Sequence, residues 1–179
     1  WLDLPLMPWI NKVFKALNEN YGFIFEAINN VLLAMLMGLK NFLVQAPWPL
    51  VIIGVVVLAY FASGKKIKTT VAVGFCTFFI GFLHPRFWDK AIETTSIMLI
   101  SIFLCLVIGV PIGIWMSRAN RVREKILPIL DLMQTIPAFV YLIPGIMLFG
   151  LGAVPAMIAT FIYAVPPLVR LTDLGIRLV

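Results

Sequence analysis

From Thr94 to Met116 the chain carries no charged side chain, and that single run restricts the fold more than any other feature. An α-helix rises about 1.5 Å per residue, so roughly 20 apolar residues cross the ~30 Å hydrocarbon layer of a bilayer. Four further runs are comparably apolar: Leu50–Ala62, Thr69–Leu83, Ile129–Leu151 and Val154–Val169. Together they predict an all-α integral membrane protein, a polytopic helical bundle with five spans. The composition agrees, with 62% hydrophobic and 12% charged residues in 179, where charged residues in soluble domains run near a quarter. A water-soluble enzyme is excluded, and no length remains for a sizeable aqueous domain.

The net charge of +6 is distributed by topology. Lys65, Lys66 and Lys68 follow the first span, and Arg118, Arg121, Arg123 and Lys125 follow the third. The fifth ends at Arg170 and Arg177, whereas the turn Gly150–Gly152 carries no charge. The positive-inside rule then places loops 63–68 and 117–126 and the segment beyond Arg170 in the cytoplasm, with the amino terminus outside. Trp1, Trp9, Trp48, Trp88 and Trp115 fall at segment ends or in the amino-terminal helix, as an aromatic belt at the headgroups requires.

The first 45 residues differ from the rest. Trp9, Ile10, Val13, Phe14 and Leu17 share one helical face, with Asn11, Lys12, Lys15, Asn18 and Glu19 opposite, the pattern of an amphipathic helix lying in the membrane interface. The apolar run Val31–Leu39 is bounded by Glu26, Asn29, Asn30, Lys40 and Asn41. It is too short to cross, so residues 21–44 are expected to be interfacial or re-entrant. The chain thus divides into an amino-terminal interfacial scaffold segment, 1–45, and a transmembrane domain, 46–179.

Several chemistries are missing from the sequence. It holds no glycine-rich phosphate loop, HExxH or GxSxG pattern, so no nucleotide-hydrolysing site of its own is expected. His84 is the single histidine, and Cys76 and Cys105 lie in separate apolar runs, which leaves no metal cluster local in sequence. The basic residues sit in separate short loops rather than a stripe, against nucleic-acid binding.

The polar residues inside Leu127–Gly152 stand out. Asp131, Gln134 and Thr135 share one face at helical spacing, and Pro137 and Pro144 interrupt the helix. Polar groups and helix breaks in lipid are satisfied by other helices or by water, so this span faces protein or a pathway. Asp131 fits either a place in the first turn after Pro128, favoured by the helix dipole, or a pathway role. Phe139 and Tyr141 fit either ordinary packing or aromatic faces presented to a cation. Gly109, Pro111 and Gly113 mark a helix-packing face.

The run DLMQTIPAFVYLIPGIMLFGLGAVPAMIATFIYAVPPLVRLTDLGI, residues 131–176, resembles the membrane-spanning permease subunits of ABC importers for glycine betaine, proline betaine and choline. The resemblance extends through ETTSIMLISIFLCLVIGVPIGIWMSR, residues 93–118, and more loosely through the first two spans. It implies a helical bundle of the type I ABC importer kind in a bacterial cytoplasmic (inner) membrane. It further implies a second permease copy, two cytoplasmic ATPase subunits that hold ATP and Mg, and an external solute-binding protein; this chain binds no cofactor itself. In such an importer Asp131, Gln134, Thr135, Phe139 and Tyr141 are candidates for the solute pathway, and Pro137 and Pro144 for the gate. Arg170, Thr172 and Asp173 would lead into the ATPase-coupling loop, which is expected to begin just beyond Val179. The rival expectations are a channel or ion-coupled secondary carrier using Asp131, a scaffold without a pathway, and an intramembrane enzyme.

Overall fold

The computed structural model describes residues 6–83 and 85–178, which are helical throughout apart from short connections and contain no strand. In chain order the helices are α1 (Leu6–Gln45), α2 (Trp48–Ala62), α3 (Ile67–Leu83), α4 (Pro85–Arg118), α5 (Asn120–Thr135), a 3-10 turn at Ala138–Tyr141, α6 (Leu142–Phe149) and α7 (Ala153–Arg177). The expectations for Trp1 and His84 fall outside the described residues. The chain forms two compact units, Trp1–Ala34 with Ile97–Val179, and Met35–Ser96.

In the unit Met35–Ser96, α2 and α3 form a helical hairpin. Pro47 and Pro49 precede and open α2, where a missing N–H leaves no helical bond unmade. The hairpin turn is a Schellman-type cap: the Lys65 and Gly64 amides donate to the Tyr60 and Phe61 carbonyls at 2.9 and 3.2 Å, with φ of 64° and 65°. A Cβ at Gly74 would meet Val56 Cγ2 at 3.1 Å, so the two helices meet through that glycine. None of the residues of α2 is buried, an untenable surface in water but an ordinary one in lipid.

In the other unit, α5 and the carboxy-terminal part of α4 pack on α7. Cys105, Met116, Leu130, Val165 and Val169 are the buried centre, flanked by Ile112, Ile126, Phe161 and Leu168. Gly109 and Gly113 allow α4 and α7 to touch, because a Cβ at Gly109 would lie 3.1 Å from Leu168 Cδ2. At Gly113 it would lie 2.6 Å from Thr172 Cβ and 2.9 Å from the Val169 carbonyl oxygen. The packing face expected at Gly109 and Gly113 is therefore present. α6 and α7 form a second hairpin whose turn needs the positive φ of Gly150 (76°) and Gly152 (156°), a region that costs glycine little.

Several expected boundaries are corrected. Residues 6–45 make one helix, so the re-entrant alternative for residues 21–44 is wrong; no proline lies between Trp9 and Gln45, and isolated polar residues such as Asn29 and Asn30 do not break a helix. The loop 117–126 is mostly helix, since α5 starts at Asn120. The span Ile129–Leu151 is not one helix: α5 and the segment Ala138–Phe149 meet at 98°. α7 continues through Pro166 and Pro167 to Arg177, so the polar segment expected beyond the fifth span is part of the same helix. The first two expected spans have 15 and 17 residues. By length and composition three described helices can cross a membrane, or four if the bent pair counts as one, against the five expected. They are Lys12–Gln45, Arg86–Arg118 and Ala153–Arg177.

Candidate functional site

The break between α5 and the 3-10 turn follows from Pro137. A proline disfavours helical geometry in the residue before it, and Ile136 is extended at φ −80°, ψ 125°. Pro137 itself adopts φ −56°, ψ 138°, after which the chain winds as a 3-10 turn and then as α6. Pro144 falls in the first turn of α6, where its missing N–H removes no helical bond, so Pro137 breaks the helix and Pro144 does not.

Breaking a helix in lipid leaves carbonyls that water cannot serve. The Leu132 carbonyl accepts from the Ile136 amide at 3.3 Å and from Thr135 Oγ1 at 2.9 Å. In a continuous helix the Met133 carbonyl would accept from residue 137, but proline has no N–H. Here the Tyr141 hydroxyl donates to it at 2.9 Å, reaching back across the bend. The bond is partly buried, and a hydrogen bond of this kind contributes about 0.5–1.5 kcal/mol net to holding the bent segment.

Around the bend the expected pathway residues have different surroundings. Gln134 and Thr135 are exposed at the end of α5, Phe139 stands out from the 3-10 turn with 70% exposure, and Tyr141 is half-buried. Asp131 is exposed on α5 and paired with Arg170 Nη2 of α7. Arg170 Nε is buried without a hydrogen-bond partner, so Asp131 is the acid that orients this guanidinium. Because α5 begins at Asn120, Asp131 lies near its far end and not in a first turn, and capping is not its role.

The residues expected to lead into a coupling loop point in three directions. Arg170 meets Asp131, and Thr172 Oγ1 donates to the Leu168 carbonyl at 2.9 Å while its methyl faces Gly113. Asp173, only 3% exposed, joins two arginines: Arg123 Nε donates to Oδ2 at 2.9 Å and Arg177 Nε to Oδ1 at 2.8 Å. Arg177 Nη2 also donates to the Met116 carbonyl and to Asn120 Oδ1, each at 3.0 Å. One carboxylate thereby ties the end of α4, the start of α5 and the end of α7. The Asp173–Arg177 pair is legible in sequence as an i, i+4 pair. Arg123 lies 50 residues away, and only the tertiary fold brings it in.

Among the described residues, no group of three His, Cys, Asp or Glu side chains is placed to hold a metal. Cys105 Sγ lies 3.7 Å from the Phe161 carbonyl and Ser101 Oγ 3.4 Å from that of Met157. Both are contacts between α4 and α7.

Comparison with known proteins places these features in a lineage. No family model matches the chain. It is 39% identical over 174 residues to the glycine betaine transport system permease protein OpuAB of Bacillus subtilis, covering 97% of this chain and 60% of that one. It is 39% identical over 178 residues to the glycine betaine/carnitine transport permease protein GbuB of Listeria monocytogenes, covering 97% and 61%. It is 36% identical over 174 residues to the glycine betaine/proline betaine transport system permease protein ProW of Escherichia coli, covering 97% and 48%. The chain is thus homologous along nearly its whole length to permease proteins of bacterial betaine transport systems, and it spans about half to three-fifths of their length. The likeness includes the amino-terminal 45 residues, where the sequence alone showed least.

Proposed function

We propose that this chain, a helical membrane protein homologous to betaine permeases, forms part of the solute pathway of a binding-protein-dependent ABC importer. Its solute is a quaternary ammonium osmoprotectant, with glycine betaine, proline betaine and choline the candidates. The similarity to three such permeases over 97% of the chain carries this reading. ATP and Mg are held by separate cytoplasmic ATPase subunits, an external binding protein delivers the solute, and a second permease copy completes the pathway.

In this reading the helix broken at Pro137 is the gate element. Phe139 and the ring of Tyr141 offer aromatic faces that attract a quaternary ammonium group through the ring quadrupole, and Gln134 and Thr135 offer hydrogen-bonding groups beside it. The basic residues Arg118, Arg121, Arg123 and Arg177 lie at the junction of the end of α4, the start of α5 and the end of α7, and the positive-inside rule puts that junction in the cytoplasm. Arg170, Thr172 and Asp173 then stand beside the ATPase-coupling segment. The amino terminus lies outside, with α1 in the headgroup region, where Lys12, Lys15, Glu19, Glu26 and Lys40 keep their charges in water. Alternating access follows if ATPase and binding protein prefer different states of the permease pair.

The test is uptake of labelled glycine betaine and choline into vesicles holding the full-length permease, with and without ATPase, binding protein and internal ATP. Uptake that requires all three supports the importer. Uptake driven by an ion gradient alone overturns it in favour of a carrier using Asp131. Within a working importer, Phe139→Leu is expected to lower uptake severalfold.

A further inference from the structure

We propose that Tyr141 is a positioning residue whose hydroxyl, donating to the Met133 carbonyl, takes the place of the N–H that Pro137 lacks and so fixes the bend that presents Phe139. The proposal deepens the pathway reading of this segment and rests on it. Three observations converge. Pro137 withholds the donor that the Met133 carbonyl would meet in a continuous helix. The Tyr141 hydroxyl stands 2.9 Å from that same carbonyl. Phe139, on the same short turn between Ala138 and Tyr141, is 70% exposed, so its direction is set by the backbone of the turn and not by packing around its ring.

This role differs from that of an aromatic surface for a cation. A cation-binding ring works as well in phenylalanine as in tyrosine, whereas the clasp needs the hydroxyl alone. Proline is also essential to it: with alanine at 137 the helix is free to continue through residue 136, the residue-137 N–H then serves the Met133 carbonyl, and the hydroxyl becomes redundant. The two positions should therefore be strongly coupled, as groups sharing one partner are.

The experiment compares the wild type, Tyr141→Phe, Pro137→Ala and the double variant in the full-length permease assembled with its ATPase and binding protein. Two quantities are read: amide hydrogen exchange across residues 134–142, and the maximal rate and half-saturation of labelled glycine betaine uptake. Tyr141→Phe is expected to speed exchange in this segment about tenfold, the equivalent of one hydrogen bond. It should lower the maximal uptake rate severalfold with half-saturation unchanged. On the Pro137→Ala background the same change should alter both by less than twofold, and this comparison holds even where one single variant is poorly produced. Wild-type exchange in Tyr141→Phe, equal effects on both backgrounds, or faster exchange with undiminished uptake would each overturn the proposal. If wild-type uptake proves independent of ATPase and binding protein, the importer reading fails separately, and the exchange data still decide whether the clasp exists.

Discussion

At the scale of single residues, two ion-paired acids on neighbouring helices have opposite energetics. Asp173 is buried between two guanidinium groups, and removing its charge leaves both cations facing one another. Breaking a buried pair costs about 3–5 kcal/mol, and the partial exposure of Arg123 and Arg177, at 41% and 32% of their side chains, points to the lower end. Asp173→Asn is therefore expected to lower the thermal midpoint in detergent by many degrees, and Arg123→Gln by less, because Arg177 still holds the carboxylate. Asp131 is 62% exposed in its pair with Arg170. Pairs exposed to water contribute about 1 kcal/mol or less, so with Asp131 on the water-filled pathway proposed above, Asp131→Asn should leave the midpoint nearly unchanged, and loss of uptake in that variant then reports on the pathway and not on folding. The sequence marked both acids but could not rank them, because burial is not a property of a residue type.

At the scale of helices, glycines decide how closely backbones approach. Gly113 faces the Val169 carbonyl, a backbone atom that cannot swing aside, and Gly113→Ala is expected to cost about 1–3 kcal/mol by overpacking. Gly175, on α7, has no neighbour within 4 Å of an added Cβ. Gly175→Ala should then stabilise by up to about 1 kcal/mol through helix propensity, with both effects read by thermal unfolding in the same detergent. The glycine spacing of α4 was legible in sequence, as was the irregularity around Pro137. The 98° bend was not, since a proline inside a hydrophobic run either kinks a helix or ends it, and the surroundings choose. At Pro111, Pro128, Pro166 and Pro167 the helices continue; at Pro137 the helix stops, with Tyr141 placed to accept the consequence.

At the scale of the whole molecule, exposed apolar residues such as Phe23, Phe42, Phe82 and Leu151 fit a membrane protein, whose helices face lipid and other helices. The proposed topology predicts that a single cysteine at Ala119, in a background without Cys76 and Cys105, reacts with an impermeant maleimide only from the cytoplasmic side. One placed at Trp9 reacts from outside. Cytoplasmic labelling of the Trp9 position would show instead that α1 crosses the bilayer, as its length permits.

By itself the sequence determined the solvent, the helical class, the permease resemblance and the neighbourhood of the break, because apolar runs and prolines act locally and do not depend on what lies across the fold. The tertiary structure alone decided that Asp173 gathers Arg123 and Arg177, and that Tyr141 reaches back across the bend to serve the carbonyl of Met133. Each of these depends on atoms distant in sequence meeting at bonding distance, and hydrophobic periodicity carries no record of such meetings.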